Sequence, residues 1–275
     1  MIDMRTESAN EAVIGSPEDS GDTMDRVSAT RRPVGRTVMY QRWSELSFLH
    51  WRFPPDAIRP LLPPGLELDT FDGEAYVGLV PFRMSGVRPV WSPPFSPLSN
   101  FCETNIRTYV HYQGRNPGVW FFSLDAASAP AVLIARTLWK LPYYFSRMHL
   151  KRESGAIDYM SERLWPASVP AVCSVRTRPT GPVEPAAIGT LEHFLAERYI
   201  LYAYARSRLY VGRVHHNPYP LQRAELLHLD ETLMQAAQIT RPSAAPLVHY
   251  ADAVDVRIFP LRPIGQHDKY LKQAR

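Results

Sequence analysis

The sequence predicts a β-rich α+β fold, a barrel or sandwich of mainly antiparallel strands with a few peripheral helices. Three observations predict it. Short strand-like runs recur along the chain, turn residues punctuate them, and the β-α-β rhythm of a parallel doubly wound sheet is missing.

Residues 1–36 carry no Phe, Trp or Tyr and are rich in Ser, Thr, Asp, Glu and Ala. Such a stretch cannot bury enough apolar surface to offset its ordering entropy, so a disordered tail is expected there. One folded domain is expected over 37–265, followed by a polar C-terminal tail over 266–275. Near Met39 the aromatic and aliphatic residues arrive together: Tyr40, Trp43, Leu46, Phe48, Leu49 and Trp51. Pro54–Pro55–Asp56 opens a short helix that Pro63–Pro64–Gly65 stops. Runs at 66–71 and 74–84 flank Asp72–Gly73, a strong hairpin signal. A second pair, 100–112 and 118–125, surrounds a turn at 113–117. The clearest helix spans Ser128 to Trp139, with Val132, Leu133, Ala135 and Leu138 at helical spacing and Pro142 blocking continuation. Strands follow near 143–153, 156–165, 171–178, 198–205, 208–215, 222–229 and 253–259, with short helices near 190–196 and 231–238.

Composition removes several function classes. The chain is 45% hydrophobic and 21% charged over 275 residues, the balance of a folded globular protein. A net charge of +4 invites nucleic acid, but the basic residues are strewn singly, with Arg31–Arg32 the only adjacent arginines. No apolar run is long enough for a bilayer span and the N-terminus lacks a signal-peptide pattern, so a cytoplasmic protein without membrane contact is expected. Cys102 and Cys173 fall in strands and read as reduced, packed thiols. Successive strand residues His215 and His216 face opposite sides, so no metal site is expected. No P-loop or dinucleotide-binding glycine pattern is present, and no cofactor is expected.

Two stretches could carry chemistry. In Phe101–Val110, strand alternation puts Glu103, Asn105 and Arg107 on one face and Cys102, Thr104 and Ile106 on the other. The polar face either meets solvent or lines a barrel interior, beside Phe101 and Tyr109. In Ala135–Tyr144, a helix ends at a proline and hands over to a strand beginning with Tyr143 and Tyr144.

These blocks, with Phe48–Leu49–His50–Trp51, Leu61–Leu62–Pro63–Pro64–Gly65, Tyr76–Val77–Gly78–Leu79–Val80–Pro81–Phe82 and Ser123–Leu124–Asp125–Ala126, resemble the YqjF-like family of the acetoacetate-decarboxylase-like superfamily. The resemblance runs from about Tyr40 to Gly265. It implies a cone-shaped, mainly antiparallel β-barrel with a ligand cavity inside. The superfamily's enzyme forms an imine through a lysine following an Arg-x₅-Pro pattern. Here that pattern runs from Arg136 to Pro142, and both following positions hold tyrosine. Glu103 matches one active-site acid, the other falls near Gly78, and the enzyme's N-terminal arginine falls near Ser44, with Arg42 the nearest stand-in. Imine chemistry is therefore not expected; Lys140, at a helix C-terminus, reads as a solvated charge favoured by the helix dipole, with a displaced nucleophile as the alternative.

The expected ligand is a small polar or carboxylate-bearing organic compound. Arg107 is its anchor, Asn105, Tyr109, Tyr143 and Tyr144 are binding residues, and Glu103 is the catalytic acid or base of a lyase- or hydrolase-type reaction. The rival is a non-catalytic binding, carrier or interaction module in which Glu103 and Arg107 pair with each other. Homo-oligomerisation is left open.

Overall fold

In the computed structural model, which describes residues 24–95, 98–166 and 169–265, strands dominate. In chain order they are β1 (Met39–Phe53), β2 (Glu67–Leu68), β3 (Ala75–Pro89), β4 (Phe101–Tyr112), β5 (Arg115–Ala126), β6 (Tyr143–Glu153) and β7 (Ala156–Trp165). They continue as β8 (Val172–Thr180), β9 (Ile200–Ala205), β10 (Arg208–His215), β11 (Leu221–Glu231), β12 (Leu247–Ile258) and β13 (Arg262–Pro263). The helices are single turns or little more: α1 (Pro55–Ile58), α2 (Ala129–Ile134), α3 (Leu191–Ala196) and α4 (Leu233–Ala236).

All strands join one sheet that closes on itself twice. One ring runs β4-β5-β9-β10-β12-β1-β3 and back to β4. A second leaves β5 through β6, β7, β8 and β11 and returns by β12. Strands β12, β1, β3, β4 and β5 are common to both, and among the described residues only β5–β6 and β5–β9 pair in parallel. The expected antiparallel β-rich fold is thus present, with the sheet curled into closed rings.

The shared wall explains why β1, β3 and β4 are buried on both faces. In β1, Leu46 and Phe48 pack in the first ring, while Leu49 and Trp51 pack in the second. In β4, Thr104 donates to the Tyr159 hydroxyl at 2.7 Å and Ile106 packs with Cys173 and Val175, all inside the second ring. Cys102 and Cys173 are free thiols, half-buried and buried respectively.

Local outcomes differ from expectation in three places. The Asp72–Gly73 turn forms with both φ positive, yet only Phe71 and Glu74 bridge across it, because β2 pairs with β4 instead. The 128–139 helix starts on a Ser128 cap, loosens into a π turn over Ala135–Trp139, and ends at Lys140 in the left-handed region. Within the expected N-terminal tail, residues 1–23 lie outside the described residues, but 24–36 pack on the domain. There Ala29 is buried and Arg26 pairs with the buried Asp69, which also holds Arg198 at 2.7 Å. No described helix is long and apolar enough to cross a membrane.

Candidate functional site

The first ring encloses a cavity of about 640 Å³. Its walls are apolar and aromatic, with Trp43, Phe82, Phe121, Trp139 and Tyr219 prominent, and Glu103, Asn105, Arg107 and Tyr143 supply polar groups. The alternation of β4 places Glu103, Asn105 and Arg107 in this interior, all buried, so the cavity-facing alternative holds and the solvent-facing one does not.

Glu103 accepts a hydrogen bond from the Tyr143 hydroxyl at 2.8 Å. Burial pushes its carboxyl up to about 8; the Tyr143 bond restrains that rise and the negative charge of Asp125 adds to it. At neutral pH the group is therefore mostly a protonated acid that can also act as a base, the condition acid–base chemistry requires. Burial, with the neighbouring Glu103, drives the Tyr143 phenol well above its ordinary value, so it acts as a hydroxyl.

Arg107 donates through Nη2 to the Leu195 carbonyl at 3.1 Å, near the C-terminal end of α3. Its guanidinium carbon lies 5.5 Å from the Phe48 ring centre and 5.8 Å from that of Tyr109. The Arg107 Nε and the Asn105 Oδ1 are buried with no hydrogen-bond partner among the described residues. Buried polar groups are rarely left so, and both belong to cavity-lining side chains.

Beneath this floor, Tyr109 donates to the Leu195 carbonyl at 2.7 Å and therefore accepts from His50 Nε2, also at 2.7 Å. The His50 proton thus sits on Nε2, and burial with nearby Arg107 keeps the ring neutral, far below the usual histidine range. Gly78, where the superfamily's second acid was expected, leaves room for this ring. A Cβ there would lie 2.8 Å from His50 Nε2.

Several expected placements need correction. Tyr109 follows the same strand phase as Arg107 but lies under the floor and does not line the cavity. Tyr144 points into the second ring, because neighbours in a strand face opposite sides. There its ring centre lies 3.8 Å from the Arg163 guanidinium carbon. Arg163 in turn grips Asp125 with two bonds of 2.8 and 2.7 Å, a buried pair to which Ser146 adds a third bond. The supposed Glu103–Arg107 pair does not form. Residues four apart along a strand stand roughly 13 Å apart, too far for carboxylate and guanidinium to meet. Arg42 faces outward and pairs with Asp255 at 2.9 Å. Lys140 lies over the Tyr210 ring and is not among the lining residues.

His50 and Tyr219 were not singled out from sequence. For His50 a signal existed, a lone imidazole in phase with Leu46 and Phe48. For Tyr219, between β10 and β11, no periodicity was available.

Comparison with known proteins places this geometry in a family. Uncharacterized protein YqjF of Bacillus subtilis (strain 168) is 40% identical over 230 residues, covering 84% of this chain and 94% of that protein. Among solved structures, the enduracididine biosynthesis enzyme MppR complexed with pyruvate matches with a TM-score of 0.55 at 16% identity, over 86% of this chain and 93% of its own. Acetoacetate decarboxylase from Legionella pneumophila matches with a TM-score of 0.53 at 12% identity, over 87% and 95%. These structural likenesses establish an acetoacetate-decarboxylase-like fold. With residues 40–255 matching its pattern, the chain belongs to the DUF2071 family, described as uncharacterized conserved protein (COG2071).

Proposed function

We propose that the first ring binds an organic molecule whose apolar body fills the cavity and whose carboxylate or carbonyl head meets Arg107, with a hydroxyl or other donor beside Asn105. Where that molecule is a substrate, Glu103 moves a proton on the part of it that lies against the Glu103–Tyr143 pair, in an acid–base reaction of the lyase or hydrolase type without an imine. The observation that carries this is the pairing of apolar walls with a floor holding one unpaired donor, Arg107 Nε; the unpaired Asn105 Oδ1 is an acceptor and calls for a hydroxyl or other donor on the ligand. The cavity volume falls in the range of small-molecule sites, which are mostly apolar with a few placed polar groups. The apolar walls shift the expected ligand from a wholly polar compound towards one with a hydrophobic body. A carboxylate head also agrees with the pyruvate held by MppR, which shares the fold.

Calorimetric titration of the chain with straight-chain carboxylates, alcohols and alkylammonium ions of matched length tests the proposal. Carboxylates should bind, alkylammonium ions should not, and Arg107→Gln should weaken carboxylate binding about tenfold or more, the scale of a hydrogen bond to a charged group. Equal binding of carboxylate and ammonium, or no binding by any series, would defeat it.

A further inference from the structure

We propose that the mouth of the cavity docks on an anionic lipid surface, and that the ligand enters from there. The entry route rests on the ligand reading above; the docking does not.

Five large apolar side chains that line the cavity are also exposed to water: Trp91 at 83%, Phe95 at 67%, Leu138 at 62%, Ile134 at 47% and Leu98 at 46%. The apolar surface thus runs without a break from the outside of the molecule into the first ring. Val90 and Leu133, also exposed, extend it beyond the lining residues. Scattered exposed apolar residues are ordinary, but a contiguous group marks an interaction surface.

Charge selects the occupant. Arg88 and Gln41 line both the apolar cavity and a neighbouring cleft of about 610 Å³, whose walls also carry Arg257. The one acid lining that cleft, Asp255, is already paired with Arg42. An apolar rim bearing an exposed tryptophan beside a basic flank matches the layering of a membrane surface. There aromatic rings sit at headgroup depth and arginines meet lipid phosphates. An apolar ligand partitioned into the same bilayer would reach the cavity without exposing its body to water.

Co-sedimentation of the full chain with vesicles, carried out without added carboxylate, tests the docking apart from the ligand. Vesicles of equimolar phosphatidylcholine and phosphatidylglycerol should carry the protein down, and phosphatidylcholine alone should do so weakly. The double variant Val90→Asp, Leu133→Asp, outside the cavity lining and confirmed folded by circular dichroism, should stay in the supernatant. Arg257→Ala should weaken binding about fivefold, the ratio for one basic residue near an anionic surface. The proposal is overturned if the wild type stays in solution with both vesicles, or if the double variant still binds. It is equally overturned if the chain is a dimer that the double variant dissociates, since the rim would then be a self-contact.

Discussion

Glutamine at position 103 isolates the titration at the centre of the cavity. The wild-type carboxyl has an ordinary value of 4.5 and is raised to about 8 in the fold, chiefly by burial. Between those pH values the folded state holds a proton that the unfolded chain has released. Stability contributed by the neutral carboxyl is therefore fully present below the unfolded value and is lost as pH rises through the folded one. The slope is about 1.4 kcal/mol per pH unit, on the order of 5 kcal/mol across the window. Glu103→Gln keeps the shape and still accepts from Tyr143, but cannot ionise. Urea unfolding from about pH 5 to about pH 9 should show the wild type losing stability relative to the variant as pH rises. The comparison cancels the buried histidines, His50 and His216 among them, whose depressed values act at lower pH in both proteins. Parallel curves for the two proteins would mean that Glu103 is ionised throughout, and the acid–base role built on its neutral form would fall.

Gly78→Ala should cost about 1–3 kcal/mol in urea unfolding, because its Cβ would intrude on His50 Nε2 in a packed interior; an unchanged midpoint would show that the ring is not confined. Borohydride with a β-keto acid should give no covalent adduct by mass spectrometry, since no lysine among the described residues lines the cavity; an adduct lost in Lys140→Ala would restore the imine route. Deleting residues 1–23 should leave the unfolding midpoint unchanged, whereas deleting through residue 36 should lower stability by about 1–3 kcal/mol, as it removes the Arg26 bond to buried Asp69 and the buried Ala29. Equal midpoints for the two truncations would remove any structural part for 24–36.

Strand periodicity carried most of what was legible beforehand. The two-residue period of β4 correctly grouped Glu103, Asn105 and Arg107, and the bounds expected for β6, β7 and β10 match those observed. Periodicity alone does not tell which face is enclosed. In β4 both faces are, because the sheet closes twice through long-range pairings such as β10–β12 and β5–β9 that leave no local trace. The same period, applied strictly, would have separated Tyr143 from Tyr144, and the rise per residue would have set Glu103 apart from Arg107. Helical spacing found α2 but not its π-turn ending. The packed segment 24–36 was hidden by composition, since its anchors are one arginine and one alanine rather than an apolar run.

The cavity's occupant is the central claim, and a crystal structure of the chain purified from its own host tests it most directly. The account predicts elongated ligand density inside the first ring, its polar head within hydrogen-bond distance of Arg107 Nε or Asn105 and its body against Trp43, Phe82 and Tyr219. A structure in which side chains fill that space, or in which an ordered ligand sits with its polar end away from Arg107, would contradict it.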